Sequence, residues 1–302
     1  MEFWIQDLRI SFRHLAGRPV LTLAAAATLA LGIGANSAVF SLVDAIFLRP
    51  AQFVQDPDRL FSLFNGDSPS FSFPDYRDLS RMESWEGLAA SLRREVNFGT
   101  GTETRRVPAE LVTSNYFTVM GTSAQFGRAF QSQQESLTDG GRTVVLSHSL
   151  WQQSFGGDVQ AVGKQVLLNG QAYLILGIAP PGFRGTSLRS GPSVWIPIER
   201  FGEFVPAMGA KALQRRHWSL FRLTGRLAAD VNPDQARQEL QAAGRRMDES
   251  DPGLGGRKLD LVPYCTWLRS LPPRGRRRRI MQLCCWAWSG WCCSSPASTW
   301  PT

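Results

Sequence analysis

Residues Pro19–Val43 read PVLTLAAAATLALGIGANSAVFSLV, 25 positions with no charged side chain, bounded by Arg18 and Asp44. As an α-helix the stretch is about 37 Å long, enough to cross the roughly 30 Å hydrocarbon layer of a bilayer with some tilt. A secretory signal is the competing reading, but its apolar core spans only about 7–15 residues and stops at a small-x-small cleavage site. Here the apolar character continues past Ala35-Asn36-Ser37 into Val39-Phe40 and on to Ile46-Phe47-Leu48. A helix buried in a soluble protein rarely stays uncharged for this long. The stretch therefore reads as a retained membrane helix over residues 19–48.

Outward from it, residues 1–18 (MEFWIQDLRISFRHLAGR) place Trp4, Leu8, Phe12 and Leu15 at steps of three and four, with Gln6, Arg9 and Arg13 between them. That is one apolar stripe, suited to lying in the membrane interface; a surface helix packed on a neighbour is the alternative. Arg9, Arg13 and Arg18 precede the span, against Arg49 and Arg59 after it. By the bias of lysine and arginine toward the cytoplasmic side, the N-terminus is cytoplasmic and residues 51–263 are exported.

Composition narrows the function classes. The formal net charge of +8 suggests an anionic partner, but six arginines (Arg269, Arg274 and Arg276 to Arg279) follow Asp260, the last acidic residue. Removing those six from the 33 basic residues leaves 27 against 25 acidic, about +2. The body of the chain is nearly neutral, which removes the electrostatic footing of nucleic-acid binding. All five cysteines (Cys265, Cys284, Cys285, Cys292, Cys293) also lie after Asp260, so the exported region needs no disulfide.

After Pro50 the pattern alternates between short strands and short helices. Residues 60–64, 107–112, 143–147, 194–197, 220–227 and 259–263 read as strands, the fourth of them at a sheet edge because of Pro197. Helices are predicted from Pro74 to about Met82, after Ser114-Asn115 to Gly121, over residues 149–155 with a Gly156-Gly157 stop, and from Asn232-Pro233 to about Met247. The last carries a cap, a first-turn proline and a capping-box glutamine, Gln235. The sharpest local signal is KQVLLNGQAYLIL (residues 164–176). Two β-rich runs joined by Asn169-Gly170 form a hairpin, because both turn positions need φ > 0. The expected class is α+β.

Chemistry is not found. His14, His148 and His217 are far apart, with no Cys, Asp or Glu at metal-ligand spacing. Ser147-His148-Ser149 invites a hydrolase reading, but G-x-S-x-G is lacking and a Ser-His pair at a strand end is ordinarily structural. The stretch from Gly157 to Gln165 misses the phosphate-loop spacing by one residue, puts Gln165 where a Mg²⁺-binding hydroxyl belongs, and runs into a strand. Phe71, Phe73, Tyr76 and Trp85 form an aromatic cluster that reads as core packing sooner than a ligand site. No catalytic, cofactor-binding or metal residue is assigned.

Leu29-Ala-Leu-Gly-Ile-Gly-Ala-Asn-Ser-Ala-Val-Phe-Ser41, Asp56-Pro-Asp-Arg-Leu60, Ser72-Phe-Pro-Asp-Tyr-Arg-Asp-Leu79, Val112-Thr-Ser-Asn-Tyr-Phe117 and Val145-Leu-Ser-His-Ser-Leu-Trp151 stand in sequence. They are followed by Gly163-Lys164, Asn169-Gly170 and Gly177-Ile-Ala-Pro-Pro-Gly-Phe183. Together they resemble permeases of MacB/FtsX-type ABC transporters, nearest the lone permeases common in acidobacteria. The resemblance covers about residues 5–263. It implies a MacB-like periplasmic core domain, commonly two α+β lobes, inserted between the first and second membrane helices. It further implies three more helices, a cytoplasmic ABC ATPase as partner, a periplasmic adaptor, an inner-membrane location, and no catalytic residues in the permease itself.

The expected organisation is a cytoplasmic amphipathic helix (1–18), a membrane helix (19–48), a periplasmic core domain (51–263) and an aberrant tail (264–302). Residues 284–302 read CCWAWSGWCCSSPASTWPT. Shifted one nucleotide earlier, the degenerate codons from Cys285 permit LLGLVGLVLLIACVNLA, an apolar run like the family's second membrane helix. The tail is read as frameshifted between about Pro263 and Cys284, the alternative being a true Trp/Cys-rich interfacial tail. The expected product is a truncated permease subunit, inactive in transport. Its rivals are a single-span anchored binding or adaptor protein without an ATPase and, more distantly, an anchored periplasmic hydrolase.

Overall fold

The computed structural model describes residues 19–43, 55–100, 104–130, 142–187 and 191–264. The predicted interfacial helix, the end of the predicted span and the tail beyond Tyr264 with its inferred frameshift lie outside these residues. The chain divides after Pro50 into two units.

In the first unit, α1 (Pro19–Val43) is one uninterrupted helix of 25 residues. Val20, Leu23, Leu29, Leu31, Ile33 and Phe40 are all exposed. At about 100° per residue they leave one side of the helix to small or uncharged residues such as Ala24, Thr28, Gly32 and Ala35, and no face carries a charge. Among the described residues no helix is long and apolar enough to cross a membrane.

The second unit runs β1 (Leu60–Asn65), α2 (Phe73–Leu79), β2 (Trp85–Gly99), β3 (Thr104–Val112), α3 (Tyr116–Met120), β4 (Phe126–Gly127), β5 (Thr143–Leu146), α4 (His148–Phe155) and β6 (Gln165–Leu168). It continues with β7 (Gln171–Ile178), β8 (Val194–Pro197), α5 (Phe201–Phe204), β9 (Arg222–Leu227), α6 (Pro233–Ser250) and β10 (Leu259–Pro263), joined by short 3₁₀ turns. Among the described residues the strands form one sheet in the order β10-β1-β9-β2-β3-β8-β5-β7-β4, with β6 pairing both β2 and β7.

That order contains two architectures sharing one strand. Taken alone, β1-α2-β2 and β9-α6-β10 form a β-α-β-β-α-β unit whose antiparallel strands lie in the order β10-β1-β9-β2, the split βαβ arrangement. Everything between Gly99 and Arg222 replaces the hairpin that would ordinarily join its two middle strands. This insertion closes on itself: β2, β3, β8, β5, β7 and β6 are each hydrogen-bonded to the next, and β6 returns to β2. The ring is a six-stranded barrel. Each strand sends two residues at i and i+2 into one buried cluster: Val96 and Phe98, Val107 and Ala109, Val194 and Ile196, Val144 and Leu146, Tyr173 and Ile175, Val166 and Leu168. A barrel this narrow is filled by its side chains and holds no lumen.

On one face the split unit packs Phe73 and Leu79 of α2 and Ala236, Leu240, Ala243 and Met247 of α6 against Leu63, Leu88, Leu223 and Leu261. Local sequence accounts for the helix ends. Ser72 and Asp75 form a reciprocal capping box on α2, at 3.1 Å each way. Ser147 caps α4, and Gly121 and Gly156 close α3 and α4 in the left-handed conformation. The β6–β7 turn is as predicted, with φ of 48° at Asn169 and 81° at Gly170.

Three expectations are corrected. β8 is not an edge strand: it lies between β3 and β5, and Pro197 is tolerated because it is the last residue, beyond the β5 pairing. On α6, Asn232 accepts from the Asp234 amide at 2.9 Å, and the reciprocal pair expected with Gln235 forms instead on α2. The longest strand, β2, was not anticipated, because WEGLAASLRREVNFG is rich in helix formers. Tertiary pairing with β9, β3 and β6 overrides that propensity.

Candidate functional site

The face of the split unit opposite α2 and α6 sets a file of polar residues among apolar ones such as Leu60, Ala89 and Val262. Along β9 it carries Arg222, Thr224 and Arg226; Ser91 faces Arg222 across β2, Ser62 faces Thr224 across β1, and Glu110 faces Arg93 where β2 meets β3. Ser62, Ser91, Thr224, Glu110 and Arg226 are all buried. A file of polar side chains in a sheet interior costs stability unless each finds partners, so each end of the file is a candidate for function.

At one end stands Arg226, 4 % exposed. Its guanidinium donates to three backbone carbonyls: Val119 at 2.9 Å, Gln55 at 2.7 Å and Asp56 at 3.3 Å. Burial pushes its pKa down, Glu86 opposes this and Arg59 adds to it, yet a guanidinium stays charged. Beside it Arg59 donates to the Leu227 carbonyl through two nitrogens and pairs with Glu86. The two arginines fasten the segment through which the chain enters β1. β10, the last strand among the described residues, runs antiparallel to β1, with Phe61 opposite Pro263. The start of β1 and the end of β10 therefore lie side by side.

At the other end Glu110, 4 % exposed, accepts from the Thr186 hydroxyl at 2.6 Å and the Tyr116 hydroxyl at 3.2 Å. Tyr116 in turn accepts from the Thr186 amide at 3.1 Å, and Tyr264 donates to the Gly185 carbonyl at 2.6 Å. Burial, then the Glu110 charge, raises the Tyr116 pKa well above its ordinary value, so it remains a donor. Gly185 has φ of 56°, and a Cβ there would lie 2.6 Å from the Tyr116 hydroxyl and 2.9 Å from Glu110 Oε2. Over this floor opens a cavity of about 190 Å³, walled by Arg93 and Arg222 and by the hydroxyls of Ser70, Ser91 and Ser187.

The remaining charge clusters are structural ties. Arg257, nearly buried, reaches Asp248 at 2.5 Å and Asp75 at 3.7 Å, while Arg216 bridges Asp75 and Asp78 at 2.8 and 2.7 Å, locking α2 to the end of α6. On the barrel, Glu203 accepts from Tyr173 at 2.8 Å and Arg142 at 3.2 Å.

The residues weighed from sequence fall elsewhere. Ser147 uses its hydroxyl oxygen to cap α4, accepting from the Leu150 amide at 3.2 Å, and His148 meets Trp151 edge to face. His217 meets Trp218 edge to face, and His14 is outside the described residues. Lys164 pairs with Asp158 at 2.9 Å and leads into β6. Phe71, Phe73 and Trp85 are buried in the core of the split unit with Tyr76 packed against it. Among the described residues no group of three or more His, Cys, Asp and Glu could hold a metal ion. Sequence reading had singled out neither arginine clamp nor the Glu110 floor. The only available signal was charged residues at inward positions of strands, visible once β2 and β9 are known to pair.

Comparison with known proteins agrees with this architecture. The family profile of the MacB-like periplasmic core domain matches residues 22–243, beginning inside α1. The periplasmic region of MacB from Actinobacillus actinomycetemcomitans superposes with a TM-score of 0.52 at 13 % identity, over 71 % of this chain and 94 % of that one. The extracellular domain of the ABC-type transporter YknZ from Gram-positive bacteria gives 0.50 at 16 % identity, over 67 % and 99 %. A permease-protein domain from Porphyromonas gingivalis gives 0.50 at 18 % identity, over 70 % and 91 %. No curated protein matches the chain. These likenesses share the fold, while the profile spans well over half of the sequence. The chain belongs to the MacB-like periplasmic core domain family of ABC transporter permeases.

Proposed function

We propose that residues 51–263 form the extracytoplasmic domain of a MacB/FtsX-type permease subunit, held to the inner membrane by residues 19–48 with the N-terminus in the cytoplasm. In this reading the subunit carries out no covalent chemistry; it relays motion from a cytoplasmic ATPase to partners outside. The observation that carries the reading is that β1 and β10, the first and last strands among the described residues, are adjacent and antiparallel, as a domain inserted between two membrane helices requires. Arg226 and Arg59 tie Gln55 and the start of β1 to β9 and α3, so a displacement of Gln55 would reach both elements. The absence of any charged side chain along the 25 residues of α1 supports its membrane placement.

The test uses the chain with its reading frame restored after Pro263, purified from its native membrane. A cytoplasmic ATP-binding subunit should co-purify, and protease added outside intact spheroplasts should cut within residues 51–263 while the N-terminus stays protected. Failure of any ATPase to accompany the chain in several detergents, or protection of the domain from external protease, overturns the proposal.

A further inference from the structure

The relay reading makes no use of one buried acid. Among the described residues, the buried side-chain atoms without a hydrogen-bond partner are the indole nitrogens of Trp85 and Trp195 and both carboxyl oxygens of Glu199, the one ionisable group of the three. Glu199 stands in the 3₁₀ turn Ile198–Arg200, directly after β8. Its neighbours along the chain are divided between the two cores: Ile196 fills the barrel, whereas Ile198 and Phe201 fill the split unit. The turn thus joins the two halves, and it holds its acid group away from water. A carboxylate so placed costs stability unless partners replace the solvent, and it takes up a proton instead. The surroundings supply little. From α2 the Tyr76 hydroxyl bears on it: burial raises the Tyr76 pKa, a bond with Thr113 opposes this and the Glu199 charge adds to it, so the phenol stays neutral. Thr113, just past β3, carries no charge. On the turn itself Arg200 attracts the carboxylate, but that guanidinium is also paired with Glu203 at 3.3 Å. Burial raises the Glu199 pKa against the weaker pulls of its own amide and of Arg200.

We propose that Glu199 is an acid-responsive latch between the barrel and the split unit: protonated, it lets the turn stay seated in the interior, and ionised, it draws the turn toward water. The sign follows from the placement. A carboxyl whose pKa is higher folded than unfolded contributes stability that is complete below the ordinary glutamate value and is lost as pH rises through the folded value. The latch therefore holds in mild acid and slackens toward neutral and alkaline pH, opposite in sense to the acid limb set by Glu203. It is a property of the fold and stands apart from the relay reading, since it needs no ATPase.

The experiment follows thermal unfolding of the full chain in detergent from about pH 4 to about pH 8, for the parent, E199Q and E199M. E199Q keeps the shape of the side chain and cannot ionise. The parent and E199Q should melt together at the acid end, and E199Q should melt roughly 2–4 °C higher at the alkaline end. E199M, which also removes the buried polar group, should gain on the parent over the same pH range. R245Q, at an exposed position of α6, should follow the parent throughout. Hydrogen exchange, corrected for the intrinsic pH dependence of amide rates, should show residues 196–204 losing protection as pH rises in the parent and keeping it in E199Q. A difference between the parent and both variants that is constant with pH, a parent more stable than both at the alkaline end, or equal protection of residues 196–204 in the parent and E199Q at every pH overturns the proposal.

Discussion

Replacing Arg226 by methionine keeps an unbranched stem in place and removes only the guanidinium. Three carbonyls lose their donor, and that of Val119 is buried while those of Gln55 and Asp56 can turn to water. A hydrogen bond from a charged donor contributes about 1.5–3 kcal/mol, so three would sum to about 5–9 kcal/mol. Relieving the burial of the charge offsets several kcal/mol of that, which leaves a net loss of about 2–4 kcal/mol. For a unit of this size, each kcal/mol lowers the melting temperature by about 2–4 °C. R226M should therefore unfold roughly 5–15 °C earlier. Hydrogen exchange followed by mass spectrometry adds location. Protection should fall in residues 55–60 and at the end of α3, while the barrel strands β5 and β8 keep theirs. R245M serves as the control, within about 0.5 kcal/mol of the parent. If R226M is no less stable than R245M, or if protection is lost evenly over both halves, the clamp does not hold the inbound segment.

Other perturbations bear on the remaining claims. Gly185→Ala forces a side chain into a left-handed conformation and against the Tyr116 hydroxyl, so denaturant unfolding should show a loss of about 2–4 kcal/mol. Ile196→Ala empties a position in the barrel interior, with an expected cost of about 2–5 kcal/mol in the same assay. Asn169→Val places a β-branched residue at φ of 48° and should cost about 1–2 kcal/mol. Burial raises the Glu203 pKa, but the bonds from Tyr173 and Arg142 outweigh it and set the folded value below normal. Its stabilisation is therefore present above the ordinary carboxylate pKa and lost as pH falls through the lower folded value, and E203Q should flatten that acid limb of the stability–pH curve.

Much of the local structure was legible. The Asn169-Gly170 turn, the cap at Asn232, the strand at Leu259–Pro263 and the glycine stops of α3 and α4 are decided by residues within a few positions of one another. The family resemblance was equally legible, because its motifs sit at those same turns and caps. What was not legible had non-local causes. β2 carries a helix-former composition and becomes a strand only because β9, β3 and β6 pair with it. Pro197 argued for an edge, whereas its place at the very end of β8 depends on how far β5 extends. Arg226, Glu110 and Arg222 look like solvated charges until the strands are aligned, since a strand's inward face depends on what covers it.

By itself the sequence determined that an uncharged 25-residue stretch precedes a nearly neutral α+β region, and it carried the motifs of the family. Those properties reside in composition and short-range spacing. Only the tertiary structure decided that the inserted residues close into a barrel sharing β2 with the split βαβ unit, and that a polar file runs behind β9 from the Arg226 clamp to the arginine-walled cavity. The barrel closes through pairings as distant as Ala109 with Val194, and the file through Ser91 with Arg222 and Ser62 with Thr224; their free energy belongs to the assembled sheet and is carried by no segment alone.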